Sequence, residues 1–166
     1  VRASLPQKPA RLDQARLPMR GLRLLEQPLG AFSRLGSSGR DRAAHRIIWE
    51  GLTGVLPGVP VVSEEMEDLE SALAGLEGTS RYWLVDPLDG TKEFIAGRDD
   101  YTINIALIDQ GCPILGVVAV PPSGVTYWAA RGGGAWRRRA GTGEALRLRV
   151  VDPGTGTLRV AVSRSH

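Results

Sequence analysis

Cysteine is all but missing from this chain: Cys112 is the single one in 166 residues. One thiol cannot build an internal disulfide framework, so the fold must be held by packing, which fits a reducing cytoplasm. Next to Gly111 in a turn, Cys112 reads as a small apolar side chain. Long apolar runs are missing too. None approaches the roughly 18 residues of a membrane span, and residues 1–30 lack the apolar core of a secretory signal. A cytoplasmic place is expected, with the inner face of the cell membrane as the alternative for peripheral attachment. Aromatic residues make up only 5%, and neither Arg137-Arg138-Arg139 nor the N-terminal arginines carry a stacking aromatic pattern. Nucleic acid is therefore not an expected partner. Histidine occurs twice, and no His or Cys nucleophile is set up. His45 and Trp49 read as ordinary surface or core residues.

What is present suits one globular domain with a real core, since 42% of residues are hydrophobic and 23% charged. The net charge of +3 hides a strong division along the chain. Residues 1–49 hold 10 Lys+Arg against 3 acids, residues 50–112 hold 3 against 13, and residues 113–166 hold 8 against 2. The three segments thus carry +7, −10 and +6. Carboxylates concentrated in the middle are what a divalent cation would neutralise, and the basic ends could draw in an anionic substrate.

Residues 1–40, with Pro6, Pro9, Pro18 and Pro28 among scattered arginines, show no sustained apolar period and are expected to be largely irregular, apart from a short helix around Leu22 and Leu25. From Asp41 the pattern is regular. Ala44, Ile47, Ile48, Leu52, Val55 and Leu56 recur at helical spacing, with Asp41 placed as N-cap and Pro57-Gly58 as the stop. Residues 59–63 read as a short strand entering Glu64-Glu65. Leu69, Leu73 and Leu76 suggest a surface helix. After Gly97-Arg98-Asp99-Asp100, the alternation of Tyr101, Ile103, Ile105 and Leu107 predicts a half-buried strand. Strands at 114–120 and 125–130 follow, a glycine loop leads to Ala135-Trp136, and Leu146, Leu148, Val150 and Leu158, Val160, Val162 offer two more. Trp128 and Trp136 are expected to pack on the sheet. The tail is an antiparallel meander.

The densest chemistry lies at 82–95, Tyr-Trp-Leu-Val-Asp-Pro-Leu-Asp-Gly-Thr-Lys-Glu-Phe-Ile. The apolar run 82–85 predicts a buried strand that stops at Asp86, and strand ends are where α/β proteins keep their chemistry. Asp86 and Asp89 flank a proline of fixed φ and precede a glycine able to take positive φ. This can fold both carboxylates toward one point, with the Leu88 carbonyl between them. All-oxygen ligands suit Mg²⁺ better than zinc. Thr91 begins a predicted helix, where free backbone N–H groups favour a phosphate. A plain polar turn with a helix cap explains the same residues equally well.

Asp86-Pro87-Leu88-Asp89-Gly90-Thr91 resembles the signature of the Mg²⁺-dependent, lithium-sensitive inositol monophosphatase superfamily, and Lys92-Glu93-Phe94 resembles its 3′(2′),5′-bisphosphate nucleotidase branch. Val61-Val62-Ser63-Glu64-Glu65 is similar to the second metal-binding element of that family. The resemblance implies an α+β fold, with helices packed on a largely antiparallel sheet, as in the N-terminal half of a sugar-phosphatase-like protein. It covers residues 41–166, following a divergent segment 1–40, and implies a second half beyond them that completes the metal site.

By the same resemblance Glu64, Asp86, Asp89 and the Leu88 carbonyl are metal ligands for two or more Mg²⁺ ions, and Glu65 is a supporting or second-metal carboxylate. Asp41, which stands 23 residues before Glu64, matches the water-activating Asp and is expected to act with Thr91. Glu64, Leu88, Asp89, Gly90 and Thr91 are expected to surround the substrate phosphate. The implied reaction is removal of the 3′-phosphate of adenosine 3′,5′-bisphosphate to give AMP, in sulfur assimilation or nucleotide turnover. The 166-residue chain is expected to perform it poorly. An inactive metal-binding fragment and an inositol monophosphatase-like sugar phosphatase are the alternatives.

Overall fold

Ile48 and Leu52, four residues apart, share one stripe of a helix, and α1 spans Ser37–Val55. The computed structural model describes residues 37–142, 144–150 and 154, and the side chains of residues 37–44 are outside that set. The readings for residues 1–36 and for Leu158, Val160 and Val162 also fall outside the described residues. Ser and Gly cost a helix at most about 1 kcal/mol each relative to Ala, so Ser37, Ser38 and Gly39 join α1 and do not stop it. The helix consequently begins four residues before Asp41, which lies inside it and is not its N-cap. It also crosses the division expected between residues 40 and 41. At the other end Pro57 and Gly58, with φ 81°, break the helical path.

Among the described residues, seven strands form one sheet whose spatial order is the chain order. They are β1 Val61–Ser63, β2 Arg81–Asp89, β3 Thr102–Asp109, β4 Cys112–Val120, β5 Val125–Ala130, β6 Gly134–Arg139 and β7 Ala145–Leu148. β1 and β2 are parallel, and every later neighbour is antiparallel. The short helix α2, Leu69–Ala74, lies between β1 and β2 in sequence, and α3, Thr91–Ile95, follows β2. The Asp68 carboxylate caps α2 by accepting the Ser71 N–H at 2.9 Å.

Period-two alternation sends Trp83, Val85, Ile103, Ile105, Leu107, Leu115, Val117 and Trp128 to one face, where Ile48 and Leu52 of α1 cover them. Trp136 packs against the edge of this core, as expected of a sheet-packing residue. The β3–β4 connection is the two residues Gln110 and Gly111, with φ 52° and 74°, the positive pair that a tight hairpin needs to match strand twist. Arg81 and Asp109 close the far end of β2–β3 with a 2.8 Å ion pair.

Two strands differ from the sequence reading. β2 does not stop at Asp86 but continues through Pro87 to Asp89, pairing Asp89 with Thr102 after a shift in register. Pro87 has no N–H to donate, and it falls in that irregular stretch, where no ladder bond is required of it. β6 includes Arg137-Arg138-Arg139, whose charges conceal a strand that β5 and β7 template from both sides. No helix among the described residues is long and apolar enough to cross a membrane.

Leu107 is 0% exposed at the centre of the core. Leu107→Ala is expected to destabilise the chain by about 2–5 kcal/mol, read from the urea midpoint. The same truncation at Leu73, 48% exposed, is expected to cost under about 0.5 kcal/mol.

Candidate active site

β1 and β2 run parallel and in register, with Ser63 opposite Val85, so the residue that follows β1 comes out beside the next residue of β2, which is still paired with Asn104 of β3. Those residues are Glu64 and Asp86. The Glu64 N–H still donates to the Val85 carbonyl at 3.3 Å, which extends the ladder by one step and fixes where the Glu64 side chain starts. Ser63, fully buried beneath the turn, accepts the Glu65 N–H on its hydroxyl at 3.4 Å. The Glu64 side chain is thereby directed toward Asp86, while Glu65 stands beside it.

The Asp86 carboxylate accepts the Leu88 N–H at 3.0 Å. The Leu88 carbonyl in turn accepts the Thr91 hydroxyl at 3.0 Å. Asp86-Pro87-Leu88-Asp89-Gly90-Thr91 is therefore a hydrogen-bonded loop that holds its own geometry. Gly90 makes it possible: its φ is 96°, and a Cβ there would stand 2.8 Å from the Asp100 carbonyl oxygen. Any side chain at this position would push the backbone at Asp100 and Tyr101 away from the loop. Phe94 of α3 packs edge-on against Tyr101, with ring centres 4.9 Å apart, closing the other side of the same turn.

Two residues that sequence reasoning did not single out complete the arrangement. Asn104 donates its side-chain N–H to Asp89 at 3.0 Å, and its carbonyl accepts the Thr102 hydroxyl at 3.2 Å. Alternation placed both on the polar side of β3, but the partner of Asn104 lies 15 residues back, across the register shift, and no local pattern reveals it. Asp41 is on α1, and its side chain is outside the described residues.

The electrostatics follow from crowding. Glu64 is pushed up to about 7, first by partial burial, then by its hydrogen bond with Asp86 and the negative charges of Asp86, Glu65 and Asp89. Every group in the cluster is an oxygen donor, and all the charge is negative, the donor chemistry that a hard divalent cation matches. As folded, the oxygens are turned to internal partners, and among the described residues no three Asp, Glu, His or Cys side chains stand together as a ready metal cage. The residues fit Mg²⁺ in donor type and charge.

Fold and loop together define the class, and residues 39–166 match the inositol monophosphatase family, so the chain belongs to that family. Among its relatives, the 3′(2′),5′-bisphosphate nucleotidase CysQ of Salmonella typhimurium is 47% identical over 126 residues, covering 76% of this chain and 48% of that protein. CysQ of Escherichia coli is 43% identical over 143 residues, covering 84% of this chain and 55% of that protein. The crystal structure of CysQ from Bacteroides thetaiotaomicron superposes with a TM-score of 0.57 at 31% identity, over 92% of this chain and 57% of that one. The chain spans about half the length of the curated relatives it matches.

A pH dependence follows from Glu64. Its folded-state value lies above the unfolded value of 4.5, so the stabilisation is fully present below about pH 4.5 and is lost as pH rises through about 7. In metal-free buffer the urea midpoint is expected to fall across that window. Glu64→Gln is expected to flatten the fall. An NMR titration placing Glu64 near 4.5 would contradict the assignment.

Proposed function

We propose that this chain forms the metal-binding half of a Mg²⁺-dependent phosphatase that removes the 3′-phosphate of adenosine 3′,5′-bisphosphate to give AMP. The observation that carries this reading is the Glu64–Asp86 pair at the open end of β1 and β2, joined by Asp89 and the Leu88 carbonyl. The likeness to CysQ proteins supports the nucleotide as substrate, and Lys92-Glu93-Phe94 supports the same branch.

Glu64, Asp86, Asp89 and the Leu88 carbonyl would hold the metal, with Glu65 beside them. Bound Mg²⁺ supplies positive charge against the phosphoryl oxygens and a lowered pKa for water. The chain's own groups do the rest. The Thr91 hydroxyl proton is committed to the Leu88 carbonyl, which leaves the oxygen lone pairs to accept a hydrogen bond from the attacking water. Asp41, carried on α1, takes the proton from that water as general base. The backbone N–H groups of Gly90 and Thr91 hold the phosphate. The water oxygen bonds to phosphorus as the bond to O3′ breaks, and the proton taken by Asp41 passes to the departing O3′, leaving a ribose hydroxyl and inorganic phosphate.

A second reading is that the chain binds the metal without turning substrate over. It is favoured by the internal hydrogen bonds of the site, since Asp86, Asp89 and the Leu88 carbonyl already accept from Leu88, Asn104 and Thr91, and metal-assisted transfer needs charge placed on both the attacking and leaving sides. Two measurements bear on these readings. Calorimetry is expected to find Mg²⁺ affinity at least about tenfold lower in Asp86→Asn, equivalent to about 1.4 kcal/mol; unchanged affinity would remove the site. Phosphate release from adenosine 3′,5′-bisphosphate, inositol monophosphate and fructose bisphosphate is expected to favour the nucleotide. The 166-residue chain is expected to turn it over at least about a hundredfold more slowly than a full-length CysQ relative. Near-equal, lithium-sensitive turnover would show that these residues suffice.

A further inference from the structure

Asp86 and Asp89 are held by different means. The Asp86 carboxylate accepts the Leu88 N–H at 3.0 Å, a donor that belongs to the backbone of the loop itself. Asp89 has no backbone donor on its side chain. Among the described residues its one side-chain hydrogen bond comes from the Asn104 amide, at 3.0 Å, and falls on Oδ2, which leaves Oδ1 without a protein partner.

Strand register explains how a residue of β3 reaches it. Asp86 pairs with Asn104 and Asp89 with Thr102, so three steps along β2 are matched by two along β3. In a regular strand Asp86 and Asp89, an odd number of residues apart, would face opposite sides of the sheet. The extra residue re-aims Asp89 to the side on which Asp86, Thr102 and Asn104 stand. Asn104 then lies directly across from Asp86 and diagonally from Asp89.

Chemistry fixes the direction of the amide. An ionised carboxylate only accepts, so the nitrogen end of Asn104 must face Asp89, and its oxygen faces the Thr102 hydroxyl, which donates to it at 3.2 Å. Lysine or arginine at position 104 would also hold Asp89 but would cancel charge that a cation needs, and aspartate would repel both carboxylates. Asparagine holds Asp89 and leaves its charge intact.

The consequence reaches the choice of ion. Mg²⁺ demands a strict octahedron and uses few carboxylates, whereas Ca²⁺ takes more oxygens in a looser shell and readily engages both oxygens of one carboxylate. A carboxylate with one oxygen tied to an amide is set to offer a cation the other alone, and Leu88 limits Asp86 in the same way. Given the metal role proposed for these carboxylates, we infer that Asn104, oriented by Thr102, is a positioning residue that makes Asp89 a one-oxygen ligand and so favours Mg²⁺ over Ca²⁺.

Calorimetry on the 166-residue chain and its variants, with Mg²⁺ and with Ca²⁺ separately, tests it. Asn104→Leu removes the donor at similar size. It is expected to weaken Mg²⁺ binding at least about tenfold, while Ca²⁺ binding holds or tightens, so that the preference for Mg²⁺ drops at least about fivefold. Thr102→Val, which frees the Asn104 amide to turn, should shift the preference the same way by less. The double variant should do no more than Asn104→Leu alone, because Thr102 acts through Asn104. Circular dichroism and the thermal midpoint in chelator are the folding check, and if Asn104→Leu fails it, Thr102→Val decides. Equal weakening of both ions in a folded variant would make Asn104 a structural residue only, and an unchanged preference would make Asp89 independent of it. Either result overturns the proposal while the metal site stands. Failure of the unsubstituted chain to bind either ion would remove the metal site and the proposal with it.

Discussion

Because β1 and β2 are parallel and in register, Glu64 leaves the end of β1 beside Asp86 of β2, and the two share a hydrogen bond. Two carboxylates so close cannot both ionise without cost. The surrounding structure limits that cost without abolishing it. Leu88 gives Asp86 an N–H, Asn104 gives one to Asp89, and the Thr91 hydroxyl ties down the Leu88 carbonyl. All three donors are neutral. The cluster keeps its negative charge and its demand for a cation, while its geometry is fixed by bonds that a cation need not supply.

The same strand that carries the cluster is central to the core. Trp83 and Val85 are 3% exposed on the face under α1, three residues and one residue before Asp86. Packing on that face sets the position of β2, and β2 sets the carboxylates. Gly90 is the most constrained point of the loop, since backbone from the 100–101 turn passes where a side chain would go. The alternation that fills the core sends Leu84, Val118 and Tyr127 to the other side. A sheet of this width covered on one face leaves apolar surface exposed as a direct result of its periodicity.

Much of this was legible in the sequence where local chemistry decides it. The helix of Ile48 and Leu52, the meander after residue 101, the tight turn at Gln110-Gly111 and the short helix opening at Thr91 all follow from period, turn residues and caps. The misreadings arose where neighbours in space outweigh local preference. Asp86-Pro87 looks like the end of a strand, yet β3 carries β2 on to Asp89. No strand was expected at Arg137-Arg138-Arg139, yet β5 and β7 hold them as one. The grouping of Glu64 with Asp86 followed from family resemblance. The Asn104 contact to Asp89 was not legible at all, because it depends on a register shift that no single segment encodes.

Spatial order equal to chain order has a kinetic meaning. From β3 onward each strand pairs with the next through a short connection, so little loop entropy opposes the growth of that ladder. β1 is different: its three residues reach β2 only after the intervening segment 64–80 has been closed as a loop. That closure is the step that brings Glu64 to Asp86. The meander is thus made of the more local pairings, and the pairing of the three-residue β1 with β2 is the non-local contact on which the place of Glu64 depends.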